Sequence, residues 1–90
     1  MVSSIRLDGK VAVVIGATGG WGSGAALALA KRGATVVLSS RTQSKLDVLA
    51  QRLDGVGGEV VGMAEDVATL EGATRLVDRA VERFGRVDIS

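Results

Sequence analysis

The sequence predicts an α/β protein in which a parallel, doubly wound sheet is covered by helices on both faces. Predicted strands rich in apolar and β-branched residues occur at 11–15, 35–39 and 59–63, and a fourth begins at position 87. Segments with helical spacing separate these strands, and a glycine-rich turn over 16–24 joins the first strand to the first helix. Strands that alternate with helices in this way pair in parallel through right-handed crossovers.

The first strand and the turn after it are the most informative segment. The run 11–15 is apolar enough to be a strand covered on both faces, and the alanine-rich stretch 25–30 has strong helix propensity. The helix therefore begins within the glycine cluster. Its first N–H groups lack intrahelical acceptors and lie at the positive end of the helix dipole, which predicts a pyrophosphate-binding turn. The candidate residues of this turn are Gly16, Thr18, Gly19, Gly20, Trp21 and Gly22.

Three glycine spacings fit the turn. They are Gly16 with Gly20 and Gly22, Gly16 with Gly19 and Gly22, and Gly20 with Gly22 and Ala25. Glycine content alone does not choose among them. A turn whose glycines serve only the packing of helix on strand is the structural alternative.

The second strand and second helix follow directly. Cations at Lys31 and Arg32 before Gly33 end the first helix, and 35–39 forms the next buried strand. Thr42 or Ser44 caps a helix whose apolar positions have helical spacing. Those positions are Leu46, Leu49, Ala50 and Leu53.

A third strand over 59–63 leads into the longest amphipathic pattern. The apolar positions predicted to face the core are Leu70, Ala73, Val77, Ala80, Val81 and Phe84. The opposite positions, interpreted as a solvated charged surface, are Arg75, Asp78, Arg79, Glu82 and Arg83. Gly85 ends this helix, and 87–90 begins a fourth strand.

The order βαβαβαβ predicts one partial Rossmann-type domain over residues 1–90, with strand order 3-2-1-4 and a truncated fourth strand. Ligands of such sheets bind beyond the carboxyl ends of the strands, where the strand order reverses. That crevice brings together the glycine turn, the segment 39–42 and the pair Asp66-Val67.

Composition narrows the classes of function. The 90 residues are 47% hydrophobic and 23% charged with a net charge of +1, which indicates one globular unit and argues against a nucleic acid or membrane partner. Cysteine and histidine are absent, so no disulfide and no metal site is expected. The first residues lack the apolar core of a signal peptide, and a cytoplasmic location is the expectation.

Four markers in this order resemble the amino-terminal part of the short-chain dehydrogenase/reductase family. They are the segment 7–14 before the glycine turn, 33–37, Asp66-Val67 and 84–89. The resemblance favours the simple type of this family, which uses the spacing of Gly16, Gly20 and Gly22. It implies an oxidoreductase that transfers hydride between a nicotinamide cofactor and a carbonyl or alcohol.

The end of the second strand selects the cofactor. A carboxylate there would bind the ribose hydroxyls and repel a 2′-phosphate, whereas this chain has Ser40 followed by Arg41. A hydroxyl beside a guanidinium suits a phosphate dianion, which favours NADP(H) over NAD(H). The alternative for Arg41 is an exposed loop cation paired with a carboxylate.

The resemblance also assigns roles after the third strand. It implies that Asp66 accepts a hydrogen bond from the adenine amino group and that Val67 contributes backbone contacts. The alternative for Asp66 is a cap on the helix that starts near Thr69, and the two roles are compatible.

The catalytic tyrosine, lysine, serine and asparagine implied by the family lie downstream of the segment matched here. The chain contains no tyrosine and no asparagine, so we assign no catalytic residue to it and predict no turnover by these 90 residues alone. A small carbonyl or alcohol substrate is expected only if the chain continues.

Two other functions remain open. A four-residue fourth strand leaves an apolar sheet edge exposed, which suggests a longer chain or self-association through that edge. The second hypothesis is therefore a non-catalytic nucleotide-binding or interaction module that uses the open edge. The third is a dehydrogenase of a different Rossmann family, against which Asp66-Val67 and the segment 84–89 argue.

Overall fold

A computed structural model describes residues 5–16 and 20–89, with the backbone alone at positions 20 and 21. Strands and helices alternate along this part of the chain, as the apolar runs predict. The elements are β1 (Val11–Ile15), α1 (Gly20–Lys31), β2 (Thr35–Ser39), α2 (Gln43–Arg52), β3 (Val60–Gly62) and α3 (Leu70–Phe84). The first two strands have the predicted bounds, and the third is shorter than predicted.

The three strands form a parallel sheet in the order β1-β2-β3. Val13 pairs with Val37 and Leu38 with Gly62, so the carboxyl ends of all three strands lie at one end of the sheet. This architecture confirms the predicted α/β Rossmann-type class.

The segment predicted as a fourth strand contributes one isolated parallel bridge, between Ala12 and Ile89. Val13 N donates to the Ile89 carbonyl at 2.8 Å, whereas Thr35 N of β2 donates to the Lys10 carbonyl at 2.9 Å. Successive residues of a strand direct their backbone groups to opposite sides, so Ile89 lies on the edge of β1 away from β2. The described residues contain no fourth strand, and the order 3-2-1-4 stays a prediction.

Helices pack on both faces of the sheet. On one face, Val36 and Leu38 of β2 pack with buried residues of α1 and α2, among them Ala26, Ala30 and Leu46. On the other face, Val37 packs with β1, Met63 and α3 through Val13, Leu76 and Ala80. Alternate residues of β2 thus serve opposite layers, which is why its three central residues are all apolar. None of the helices within residues 5–16 and 20–89 is long and apolar enough to cross a membrane.

The buried face of α3 matches the predicted one at Ala80 and at the partly buried Phe84, but differs at three of the larger apolar positions. Leu70, Val77 and Val81 are 84%, 44% and 43% exposed. The buried residues are Gly72, Leu76 and Ala80, spaced four apart. Small residues at the two ends of this stripe let the helix approach the sheet and the loop before it, with Leu76 as the one large buried side chain. The helix is therefore rotated relative to the face that the larger apolar residues predicted.

Candidate functional site

A cleft of about 300 Å³ opens at the carboxyl ends of the three strands. It is lined by Ile15, Gly16, Ser40, Arg41, Glu65, Asp66, Val67 and Ala68. Five of the ten predicted site residues therefore meet in one place: Gly16, Ser40, Arg41, Asp66 and Val67. This is the switch-point position at which open α/β sheets bind ligands.

The first wall of the cleft is the turn that follows β1. Gly16 has a φ of +72°, a left-handed conformation that favours glycine. Its N–H donates to the Ser39 carbonyl at 2.9 Å, which ties the start of the turn to the end of β2. Ile15 is 52% exposed at this rim, which makes it an apolar surface beside the polar groups of the cleft.

The second wall is the end of β2. Ser39 is fully buried, and its hydroxyl donates to the Met63 carbonyl at 2.7 Å. The next residue has the opposite orientation: the Ser40 Oγ accepts from Thr42 N at 3.3 Å, and its carbonyl accepts from Glu65 N at 3.0 Å. These bonds fix the turn from which the exposed Arg41 side chain extends. Thr42 occupies the N-cap position of α2 without a side-chain cap bond.

The third wall, after β3, is tied to α2 by Gln43. The Gln43 amide donates to the Gly62 carbonyl at 3.1 Å and accepts from Ala64 N at 3.0 Å. One side chain thus satisfies backbone groups that a further strand would otherwise pair. It fixes the loop carrying Glu65 and Asp66 relative to the segment carrying Arg41.

Asp66 does not cap α3. Thr69 is the N-cap, and its side chain accepts from Gly72 N at 2.9 Å. The Asp66 Oδ1 accepts from Ala68 N at 3.1 Å, and the Asp66 carbonyl accepts from the Thr69 hydroxyl at 3.0 Å. The capping alternative for Asp66 is therefore wrong, and its exposed carboxylate lies on the wall of the cleft.

Gly72 allows α3 to pack directly against this loop. A Cβ at position 72 would lie 2.7 Å from the carbonyl carbon of Asp66 and closer still to its oxygen. The Thr69 cap and the Gly72 approach together hold the backbone of Asp66 in place.

Three residues of the cleft were not among the predicted site residues: Ile15, Glu65 and Ala68, of which Glu65 carries a charge. Its carboxylate accepts from the Arg75 Nε at 2.9 Å and from the Arg79 Nη1 at 3.2 Å, and its side chain is only 11% exposed. The bond from Arg75 is the largest cause that lowers the pKa of Glu65. Arg79 also donates to the Ala64 carbonyl at 3.0 Å. Two of the arginines assigned to a solvated surface thus hold the loop after β3.

The remaining predicted residues belong to the glycine turn. Thr18 and Gly19 lie outside the described residues, and Gly20 and Trp21 are described only as the helical start of α1. Gly22 follows in the first turn of that helix. The pyrophosphate role of this turn stays a prediction. Among residues 5–16 and 20–89, no group of three or more acidic side chains is arranged to hold a metal ion.

The sequence matches the family described as short chain dehydrogenase over residues 10–89. The chain belongs to this family. An uncharacterized oxidoreductase of Mycobacterium tuberculosis is 40% identical over 89 residues, which is 99% of this chain and 34% of that protein. The chain thus spans about a third of the length of the curated relatives it matches.

Solved structures of short-chain enzymes share the fold closely. A metagenomic short-chain oxidoreductase in complex with NADP superposes with a TM-score of 0.85 at 34% identity, over 92% of this chain and 38% of that one. An NAD⁺-bound xylitol dehydrogenase gives a TM-score of 0.84 at 31% identity, over 91% of this chain and 32% of that one. This chain matches the cofactor-binding part of these oxidoreductases. One of the two structures contains NADP and the other contains NAD⁺.

Proposed function

We propose that this chain provides the cofactor-binding part of a short-chain oxidoreductase and prefers NADP(H) to NAD(H). The observation that carries the proposal is the position of Ser40 and Arg41 in one cleft with Asp66 and Val67. The family binds a nicotinamide dinucleotide. The preference between the two dinucleotides rests on the chemistry of this cleft.

The end of β2 supports the preference for a 2′-phosphate. Ser40 has a hydroxyl and Arg41 has an exposed guanidinium. Neither residue is acidic, so the end of β2 lacks the carboxylate that would bind the ribose hydroxyls of NAD(H). A guanidinium donates paired, charge-assisted hydrogen bonds to a phosphate and also stacks on an aromatic ring. We assign Arg41 and Ser40 to the 2′-phosphate.

The opposite wall of the cleft supports adenine binding. The Asp66 carboxylate is exposed, and the Thr69 hydroxyl fixes the backbone of Asp66 by donating to its carbonyl. Val67 is the next residue of the same loop. We assign Asp66 as the acceptor for the adenine amino group and Val67 as a backbone contact. Gly16, Thr18, Gly19, Gly20, Trp21 and Gly22 are the residues we assign to the pyrophosphate.

The bound nicotinamide supplies hydride transfer to a carbonyl or from an alcohol, and this is the reaction class we propose for the whole protein. The 90 residues contain no tyrosine and no asparagine, so this chain's part in that reaction is to bind and orient the cofactor. We expect these residues alone to give no turnover. Incubation with NADPH and a panel of ketones and aldehydes, followed by nicotinamide absorbance, tests this expectation. Loss of absorbance above an Arg41→Ala control would contradict it.

We also propose that residues 1–90 form a single partial domain, that the protein is cytoplasmic, and that it can self-associate through the edge of β1 beside Ile89. The likeness to oxidoreductases along the chain does not favour the alternative of a non-catalytic module.

Equilibrium binding of NADPH and NADH to the purified protein tests the cofactor preference. We expect NADPH to bind more tightly, and Arg41→Ala to weaken NADPH binding by roughly tenfold to a hundredfold while changing NADH binding little. Arg52→Ala is the matched control, because Arg52 is also exposed but lies at the far end of α2. Equal affinity for the two cofactors, or an Arg41→Ala variant with unchanged NADPH affinity, would refute the preference.

A further inference from the structure

The cleft contains an electrostatic conflict that the proposed function does not resolve. Glu65 and Asp66 both line the cleft that we assign to a cofactor with an additional phosphate dianion. A carboxylate near a phosphate raises the free energy of the bound state, because like charges repel. The cleft needs a cation that offsets this charge without occupying the space of the ligand.

Arg75 meets that requirement. Its Nε donates to the Glu65 Oε1 at 2.9 Å, and its side chain is 58% exposed on α3, outside the cleft lining. The pKa of Arg75 is raised first by Glu65 and, more weakly, by Glu71 and Asp66. Its positive charge is therefore felt by both carboxylates of the wall.

We propose that Arg75 is a specificity-determining positioning residue: by holding and neutralising Glu65, it lets the cleft accept a 2′-phosphate and so raises the preference for NADPH over NADH. Arg75 acts on the cleft through Glu65. This role of Arg75 rests on one part of the proposed function: that the cleft binds the adenosine end of the cofactor.

Arg75 gives a cleaner test than its neighbour. Arg79 donates to the Ala64 carbonyl as well as to Glu65, so its loss would also disturb the backbone of the loop. Substitution of Arg75 leaves the backbone bonds of that loop in place, including Glu65 N to the Ser40 carbonyl. The carboxylate would keep Arg79 as a partner, so the expected effect is partial.

The experiment measures the affinities of NADPH and NADH for the wild type, Arg75→Gln, Glu65→Gln and the double variant. We expect Arg75→Gln to lower the NADPH to NADH affinity ratio by about threefold, the size of one partly compensated charge near a dianion at moderate salt. Glu65→Gln should keep or raise the ratio, and the double variant should return it to the wild-type value. High salt should shrink the difference.

Arg83→Gln is the matched control. It removes the same charge from the same helix and breaks a similar pair, Arg83 with Glu59 at 3.5 Å, away from the cleft. We expect it to leave the affinity ratio unchanged. Comparing a ratio of two cofactors on one variant cancels any loss of folded protein.

Three results would overturn the inference. They are an unchanged ratio in Arg75→Gln, an equal fall in Arg83→Gln, or a double variant no better than Arg75→Gln alone. The NADPH to NADH affinity ratio of the wild type separates the role of Arg75 from the proposed preference for NADP(H). Equal wild-type affinities refute the preference, whereas a lower ratio confined to Arg75→Gln and rescued by Glu65→Gln still supports the role of Arg75.

Discussion

Replacement of Gly72 by alanine tests the packing that positions Asp66. Gly72 is buried in the first turn of α3, and an added Cβ would lie 2.7 Å from the Asp66 carbonyl carbon, where ordinary contact begins at 3.4 Å. The loop or the helix must therefore move by at least about 0.7 Å. Both contacting atoms belong to the backbone, so no change of rotamer relieves the clash.

The expected cost combines three effects. Crowding of a packed site costs about 1–3 kcal/mol, and a displaced first turn weakens the bond from Gly72 N to the Thr69 Oγ1, a cap worth about 1 kcal/mol. Alanine regains roughly 1 kcal/mol because it favours helix more than glycine does. We expect a net loss of about 1–3 kcal/mol in the free energy of unfolding, and weaker NADPH binding because Asp66 moves.

Gly24→Ala is the matched control for this substitution. Gly24 is also helical but exposed, and a Cβ there meets nothing within 4 Å. The same change should therefore stabilise the protein by up to about 1 kcal/mol. Urea unfolding followed by circular dichroism measures both variants. A Gly72→Ala protein as stable as the wild type would refute the argument that glycine is required for this close approach.

The other predictions concern the stability of the fold rather than cofactor binding. Ser39→Ala should lower the free energy of unfolding by about 1–2 kcal/mol, because the buried Ser39 hydroxyl donates to the Met63 carbonyl at 2.7 Å. Ser44→Ala is the control and should change this free energy little, because Ser44 is exposed. Equal effects of the two substitutions in urea unfolding would contradict the prediction. Acid should weaken the fold through Asp88, whose carboxylate accepts from Arg86 and from Val11 N at 2.9 Å, and these bonds lower its pKa below the ordinary value of 3.8. The contribution of the Asp88 carboxylate to stability is present above pH 3.8 and is lost as the pH falls through the lower pKa of the folded state. Asp88→Asn should therefore show a smaller decline of the urea midpoint in acid than the wild type. Asp78→Asn is the control, because Asp78 is exposed. A decline as steep in Asp88→Asn as in the wild type would count against this role.

The strands and the location of the site could be predicted because they depend on local patterns. Val11–Ile15 is a continuous apolar run and Thr35–Ser39 has an apolar centre over 36–38, and such runs are buried strands in parallel sheets. Parallel pairing then places the ends of these strands at one edge, which is why Ser40, Arg41 and Asp66 could be predicted to meet. Once the strands and helices are known, the rules for connecting them leave few possible topologies.

The orientation of α3 could not be predicted from its apolar spacing. The predicted face joined Ala80 to Leu70, Val77 and Val81 and did not include Leu76. The structure buries Leu76 with Gly72 and Ala80, and Gly72 allows α3 to approach the loop before it. Small residues at such contacts carry little hydrophobic signal, so periodicity ranks them low.

The role of Glu65 was missed for a different reason. Its partners Arg75 and Arg79 are ten and fourteen positions away, and charged residues on one face of a helix ordinarily indicate a solvated surface. The pairing depends on how α3 is placed over the loop after β3. A similar argument applies to Asp66, because the Thr69 cap became evident only from the geometry of the first turn.

Titration of the isotopically labelled protein with NADP⁺, followed by amide chemical shifts, tests the central claim most directly. We predict that large shifts occur at the amides of Gly16, Ser40, Arg41, Asp66 and Val67, together with those of the glycine turn, and that 2′,5′-ADP reproduces those at Ser40 and Arg41. The exposed end of α2 near Arg52 should stay unchanged. Shifts that leave these five amides unaffected, or that centre on another surface of the molecule, would contradict the assignment of this cleft to the adenosine 2′-phosphate end of the cofactor.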